Sequence, residues 1–300
     1  MARKLIAVLM PQGNVPERPS QALRWVARSL SRVGIASPLR EARLILAHVM
    51  GVGPAEVGVR DGHLDREERR LLKELLDKRC ERYPLPYLLG YVGFLDFILC
   101  VRPGVFIPRP ETEGLAERAV ELVPTLPRGA WALDIGTGTG ALAIALARAR
   151  DDLRVVATDT SEVALRCAWE NAWRLGVLER IEFRTSDLFG AVPETFHLIV
   201  ANPPYVPRRE IPGLPPEVSL WEPRAALDGG EKGTEVLRAI ISGSPKHLEP
   251  RGWLLCEIGH GQGEELLRFA KGVANWLELR VEEDLARRER YLIGCLGPMT

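Results

Sequence analysis

From about residue 112 onward, short apolar runs alternate with stretches of helical periodicity, and this alternation limits the fold more than any other feature of the chain. Residues 131–135, 154–158, 181–184, 197–201, 253–258, 277–281 and 291–295 read as strands, with helices filling most of the gaps. The pattern predicts a mostly parallel sheet with helices on both faces. The last two strands have no helix between them, which predicts an antiparallel hairpin at the sheet edge.

Upstream the period changes. Ser20 is placed to cap a helix carrying Leu23, Val26, Ala27, Leu30 and Val33 at helical spacing. Ser37-Pro38 opens a second helix, with proline in its first turn. Asp65 opens a third, with Leu71, Leu72, Leu75 and Leu76 on the buried side. Pro84-Leu85-Pro86-Tyr87 breaks the helical pattern, and residues 88–107 read as a hairpin followed by a short strand. Three hundred residues are ample for two domains. The expected division is a helical domain over 18–82, a linker with a β-hairpin over 83–108, and a catalytic domain over 109–300.

Composition removes several classes. With 46% hydrophobic and 27% charged residues the chain is of globular type, neither disordered nor fibrous. No stretch approaches the roughly 20 apolar residues of a membrane span. Arg3 and Lys4 precede an apolar run that stops at Pro11, too short for an export signal, so a cytoplasmic location is expected. Whether Met1 or Met10 is the start stays open. Five cysteines, odd in number and without a C-x-x-C pair, suit buried thiols, and neither they nor the scattered histidines suggest a metal site. Net charge is zero but uneven. Residues 18–82 hold 14 basic against 9 acidic residues, whereas 83–300 hold 24 against 30. An enzyme acting on duplex nucleic acid usually carries a strong basic footprint, and the larger part of this chain is acidic.

Asp134-Ile135-Gly136-Thr137-Gly138-Thr139-Gly140 stands where the first strand of the alternating region turns into a helix. Glycines there allow a tight turn and let a ligand approach the backbone. Asp159, nineteen residues after Gly140, ends the second strand, where a carboxylate can accept both ribose hydroxyl protons. Loop and acid together predict an adenosine-type cofactor. Gly136, Gly138 and Ala141 also satisfy the looser dinucleotide pattern. Asp134 and the Gly-x-Gly-x-Gly spacing resemble the cofactor loop of the seven-stranded S-adenosylmethionine-dependent methyltransferases. In that class the ribose acid matches Asp159, and Ser186-Asp187-Leu188-Phe189 resembles the adenine-binding turn.

Asn202-Pro203-Pro204-Tyr205 follows the fourth strand. Two prolines fix φ and remove two donors. They leave the Asn202 amide, the Pro203 carbonyl and the Tyr205 ring at the carboxyl end of the sheet, where ligands of open parallel sheets sit. Two acceptors suit a planar –NH2 group, one per hydrogen, and the ring suits the face of a flat substrate. A planar nitrogen is a poor nucleophile because its lone pair is delocalised. Acceptors that favour its pyramidal form bind the transition state better than the ground state.

These residues resemble the methyltransferases of planar nitrogens: N6-adenine, N4-cytosine and protein glutamine N5 enzymes. Three further segments are similar to the peptide chain release factor glutamine methyltransferases (the HemK/PrmC family): Phe106-Ile107-Pro108-Arg109-Pro110-Glu111-Thr112-Glu113; Glu222 to Gly230; and Leu255-Cys256-Glu257-Ile258-Gly259 with Gln262. The likeness spans roughly residues 84–297. It implies an α/β fold, a seven-stranded Rossmann-like S-adenosylmethionine-dependent methyltransferase domain preceded by a small all-α domain that docks substrate. It implies methyl transfer from S-adenosylmethionine to the glutamine of the Gly-Gly-Gln motif of class I release factors, without metal, membrane or direct nucleic-acid substrate. Asn202, Pro203 and Tyr205 would be catalytic. Asp134, Gly136, Thr137, Gly138, Thr139, Gly140, Asp159, Asp187, Leu188 and Asn202 would hold the cofactor. Arg109, Pro110 and the Asn202–Tyr205 turn, Pro204 included, would bind substrate. His197 and Leu188 depart from the family pattern, where Asp and Trp are frequent. The alternatives are a glutamine methyltransferase of a ribosomal protein, a nucleic-acid amino-methyltransferase, or a non-catalytic binding module on the same fold.

Overall fold

Apolar residues at helical spacing bury one face of each of three helices: α1 (Pro19–Arg32), α2 (Pro38–Met50) and α3 (Arg66–Cys80). The computed structural model describes residues 13–58 and 62–298, so the reading of residues 1–10 falls outside the described residues. Two units emerge. One runs to Gly90 and includes Pro216–Trp221; the other holds Tyr91–Pro215 and continues from Glu222.

In the first unit Ala22, Val26, Leu30, Ile45, Leu46, Leu72 and Leu76 are fully buried together. α1 begins at Pro19 rather than at a Ser20 cap: Arg18 is the cap residue, makes no side-chain cap bond, and the proline supplies a preset first turn. Asp65 and Glu68 form a reciprocal capping box at the start of α3, each carboxylate accepting the other's backbone N–H at 2.8 Å. Pro84–Tyr87 does not end the helical pattern. Pro84 caps, and Pro86 sits in the first turn of, a short helix α4 (Leu85–Leu89), where missing N–H groups cost nothing. Leu85 and Leu88 pack on the helical core, so residues 83–90 belong to this unit and not to a separate linker. Six residues expected in the catalytic domain also count here. The reason is charge: the buried Arg79 guanidinium binds Glu41 and Glu217, and Arg82 reaches the other Glu217 oxygen at 2.8 Å. Trp221 packs edge-on against Tyr83.

The second unit opens with the hairpin β1 (Tyr91–Phe94) and β2 (Phe97–Cys100). No strand follows it: Pro103 and Pro108 deprive residues 101–109 of ladder donors, and the chain runs as turn and extended coil into α5 (Pro110–Leu122). A seven-stranded sheet follows, built from β3 (Trp131–Ile135), β4 (Arg154–Asp159), β5 (Ile181–Thr185), β6 (Phe196–Ala201), β7 (Leu248–Glu257), β8 (Trp276–Glu283) and β9 (Glu289–Leu296). Its order is β5-β4-β3-β6-β7-β9-β8. The first five strands are parallel, and β9 runs antiparallel to both neighbours. The expected hairpin is present, with β9 inserted between β7 and the edge strand β8.

Alternate side chains of each strand enter different layers. Ala132, Leu198, Val200, Leu255 and Ile293 face α5 and α6 (Ala141–Ala149), with Leu115, Ala119, Ile144 and Leu146. Leu133, Ile199, Leu254 and Leu292 face α9 (Glu235–His247) and α10 (Gly263–Lys271), with Ile240, Ile241 and Leu266. The strand order reverses between β3 and β6, which opens a crevice at their carboxyl ends. Helix α7 (Glu162–Arg174) follows β4, and a four-residue turn of helix, α8 (Pro216–Ser219), lies between β6 and α9.

The Arg79 cluster gives a first testable outcome. Arg79→Met leaves two carboxylates facing each other with one cation fewer. It should cost the helical unit about 2–4 kcal/mol. Hydrogen exchange would read this as lost amide protection in α2 and α3, and unchanged protection would refute the role given to Arg79.

Candidate active site

The carboxyl ends of β3, β4 and β5 are tied together through backbone groups. Gly136 and Thr137 both donate their N–H to the Thr158 carbonyl at 2.8 Å. Gly138 N–H donates to Asp159 Oδ2 at 3.0 Å, and Ser161 N–H to Asp159 Oδ1 at 2.8 Å. The glycine loop is thus pinned to the end of β4 by its strand acid. Each Asp159 oxygen keeps further acceptor capacity, because an ionised carboxylate offers about four lone-pair sites. Ser186 N–H donates to the Asp159 carbonyl at 3.0 Å, which brings the Ser186–Phe189 turn to the same end. Within that turn Leu188 has φ +48°, a left-handed backbone that a leucine adopts only under surrounding constraint. Asp187 is exposed and Leu188 half-buried.

Asp134 lies beneath the loop with 1% of its surface exposed. Its Oδ2 accepts from the Thr137 hydroxyl at 2.6 Å and from Ala143 N–H at 3.1 Å. Its Oδ1 is buried without a partner among the described residues. Burial pushes this carboxyl up to about 7, against the pull of those two donors. Gly140 is required twice over: its φ is +83°, and a Cβ there would meet the Ala168 Cβ of α7 at 3.0 Å.

Asn171 was not singled out by sequence. It is buried, and its amide clips three segments together. Oδ1 accepts Cys100 N–H at 2.8 Å, while Nδ2 donates to the Cys100 carbonyl at 3.0 Å and the Thr139 carbonyl at 2.9 Å. The side chain completes the end of β2 and holds the back of the glycine loop. An asparagine in an amphipathic helix carries no signal of this.

Across the crevice, Asn202 follows β6 directly. Its Nδ2 donates to Thr112 Oγ1 at 2.8 Å. That hydroxyl donates to Glu257 Oε2 at 2.9 Å, and the Tyr205 hydroxyl donates to Glu257 Oε1 at 2.9 Å. Glu257 is fully buried at the end of β7. Burial pushes its carboxyl up to about 7, while Thr112, Tyr205 and the Arg290 charge pull it down. Burial and the neighbouring Glu257 raise the Tyr205 phenol well above its ordinary range. The Tyr205 hydroxyl therefore has a partner of its own, a role beyond the ring contact expected from sequence. The loop after Glu222 packs against this turn: a Cβ at Gly229 would lie 2.7 Å from the Tyr205 Cα. Gln262 donates to the Tyr205 carbonyl at 2.9 Å and accepts from Gly259 N–H at 2.8 Å.

Arg109 and Pro110 stand at the start of α5, as N-cap and first-turn residues. The Arg109 guanidinium pairs with Glu222, whose carboxylate is buried and also accepts Ile107 N–H at 3.3 Å. It also lies 5.0 Å from the Phe106 ring centroid. So Arg109 closes the loop on Glu222, and Pro110 starts the helix that carries Thr112. The structure brings the glycine loop, Asp159 and the Ser186 turn together at one group of strand ends, and the Asn202 turn at the neighbouring ones. Thr112 and Glu257 were missed as site residues. One signal was available: Glu257 is the only charged residue in the apolar run 253–258.

Comparison with known proteins identifies both parts of the chain. A family model described as the PrmC N-terminal domain matches residues 21–90, and one described as the methyltransferase small domain matches residues 97–212. The chain is 40% identical to the release factor glutamine methyltransferase of Cereibacter sphaeroides over 93% of its own length and 99% of that protein. It is 35% identical to the one of Rhodospirillum rubrum over 96% of its length and 91% of that protein. It is 37% identical to that of Geobacter sulfurreducens over 82% of its length and 86% of that protein.

Burial also raises the Asp159 and Glu222 carboxyls, and the two for which the rise is large, Asp134 and Glu257, predict a pH dependence. Asp134 and Glu257 keep their protons to about 7 in the folded protein, whereas in the unfolded chain carboxyls titrate near about 4. Between those values the folded state binds more protons, so stability falls as pH rises through the window and levels off above it. Denaturant unfolding should give a larger free energy at about pH 5.5 than at about pH 7.5, by on the order of 1–2 kcal/mol per group. Glu257→Gln should remove roughly half of that difference. An equal slope in the variant would contradict the assignment.

Proposed function

The chain belongs to the release factor glutamine methyltransferase family, and from that membership we propose that it transfers a methyl group from S-adenosylmethionine to the side-chain nitrogen of the glutamine in the Gly-Gly-Gln motif of class I release factors. The observation that carries this reading is the Asn202 amide. Its Nδ2 is engaged by Thr112, and its Oδ1 accepts no hydrogen bond from the described residues. That amide oxygen, open among the described residues at the carboxyl end of β6, and the carbonyl of Pro203, the next residue in the chain, would supply the two acceptors a planar –NH2 group requires.

The β3–β4–β5 ends fit the adenosine part of the cofactor. Asp159 has acceptor capacity for the ribose hydroxyls, Gly136–Gly140 leave the backbone approachable, and Leu188 offers an aliphatic face to a base. Asp134 Oδ1, buried and unpaired among the described residues, suits a cationic or N–H-bearing group. When bound, the cofactor supplies a sulfonium-activated methyl, so no strong base is needed at the nitrogen. The protein's part is orientation. Asn202 and the Pro203 carbonyl draw on the two amide hydrogens and favour the pyramidal nitrogen, an interaction that strengthens toward the transition state. The Tyr205 ring, fixed by its hydroxyl on Glu257, packs on the amide plane. Water exclusion and alignment supply the rest.

The helical unit serves as the docking surface for the protein substrate. Helix α1 carries no acidic residue. Its Arg24, Arg28 and Arg32 are exposed one turn apart, a stripe able to steer an acidic partner. A cytoplasmic site of action fits a substrate of the translation machinery, and no described helix is long and apolar enough to cross a membrane.

Mass spectrometry after incubation with S-adenosylmethionine tests the reading. One added methyl is expected on the glutamine of both an intact release factor and a Gly-Gly-Gln peptide; methylation of nucleic acid or a ribosomal protein instead would overturn it. Reversal of Arg24, Arg28 and Arg32 to glutamate should lower kcat/KM on the intact factor by about tenfold or more and leave the peptide rate unchanged. Equal loss on both substrates would refute docking through α1.

A further inference from the structure

The direction in which the Asn202 amide points is decided elsewhere. An amide is nearly symmetrical in shape, and one flip exchanges its acceptor for two donors. Only the acceptor serves a glutamine –NH2. Among the described residues Asn202 makes a single bond through this group, to the Thr112 hydroxyl, and a hydroxyl can either donate or accept. Thr112 therefore specifies nothing by itself.

We propose that Glu257 is a positioning residue that sets glutamine specificity: through the Thr112 hydroxyl it dictates which end of the Asn202 amide faces the substrate. The inference rests on the glutamine reading above. A carboxylate accepts and does not donate. One Glu257 oxygen takes the Thr112 proton at 2.9 Å and the other takes the Tyr205 proton at 2.9 Å. With its only proton spent, Thr112 can only accept from Asn202, so Nδ2 turns inward and Oδ1 outward. The same carboxylate fixes the ring of Tyr205. The groups around it are Thr112 and Glu111 of α5, Tyr205, and Arg290 and Tyr291 of β9.

Substitution by glutamine keeps the shape and removes the logic. A glutamine offers one acceptor and one –NH2, so one of the two hydroxyls must accept. When that hydroxyl is Thr112, its proton is free for Asn202 Oδ1, and the amide flips. The flipped amide presents –NH2 to the crevice. That face repels a substrate amide hydrogen and welcomes a carboxylate.

The test uses the full-length enzyme at about pH 8.5, where Glu257 is ionised, with a Gly-Gly-Gln peptide as substrate and a Gly-Gly-Glu peptide as competitor. Glu257→Gln and Thr112→Val should each lower kcat by on the order of 10–100-fold, the loss expected when a reacting group is misaligned. Calorimetric affinity for S-adenosylmethionine should stay within about threefold. Inhibition by the Gly-Gly-Glu peptide should tighten by about fivefold or more in both variants, because the unpaired-acceptor penalty on a carboxylate is gone. Thr112→Ser, which keeps the hydroxyl, should restore both the rate and the discrimination. Wild-type rates in Glu257→Gln, or unchanged competitor affinity in the two slow variants, would overturn the proposal. If Glu257→Gln does not fold, the Thr112→Val and Thr112→Ser pair decides alone. Failure of the wild-type enzyme to methylate the peptide would instead count against the glutamine reading itself.

Discussion

A fully buried carboxylate at the end of a central strand costs several kcal/mol unless every lone pair that matters is met. Glu257 is such a group, and the architecture around it answers that cost. Helix α5 brings Thr112 to one oxygen, the turn after β6 brings Tyr205 to the other, and β9 brings the Arg290 charge alongside. Three segments far apart in sequence are thereby held to one point. The same bonds that satisfy the buried acid hold Thr112 and Tyr205, the groups we propose orient the substrate amide. Opposite, Asp159 does comparable work at the ends of β3 and β4: its two oxygens hold the glycine loop and the start of α7 through backbone N–H groups.

Both centres stand at carboxyl ends of strands on either side of the reversal in strand order, where the sheet leaves a crevice, and in the proposed reaction methyl donor and acceptor meet there. The chemistry requires little of the protein beyond this. A sulfonium methyl is already activated, and a planar nitrogen needs acceptors and alignment more than a base. This fits a site whose titratable groups, Asp134 and Glu257, are buried and engaged in holding other residues.

Much of this was legible in the sequence, for reasons that are local. The first of the sheet strands coincides with the expected residues 131–135, because apolar runs bounded by turn residues carry their own signal. The glycine loop, Asp159 and the Asn202 turn each stand directly at the end of an apolar strand, β3, β4 and β6, so a local pattern marks all three. What sequence did not disclose depends on contacts between distant residues. Pro84 and Pro86 looked like breakers, and only the packing of Leu85 and Leu88 on the helical core makes them a helix start. The membership of Pro216–Trp221 in the helical unit follows from Glu217 meeting Arg79 and Arg82. Thr112, Asn171 and Glu257 act through partners 32 to 145 positions away, for which no local pattern exists. Glu257 alone left a trace, as one charge in an apolar strand.

The central claim is that Asn202 Oδ1 acts on the substrate nitrogen in the transition state. Single-turnover methylation of an intact release factor by Asn202→Ala, measured beside calorimetric affinity for S-adenosylmethionine, tests it most directly. The account predicts a rate lower by on the order of 10²–10³ with cofactor affinity nearly unchanged, whereas Asp159→Ala should show the converse, weak cofactor binding first. A near-native single-turnover rate in Asn202→Ala would contradict the account and move the chemistry away from the turn after β6.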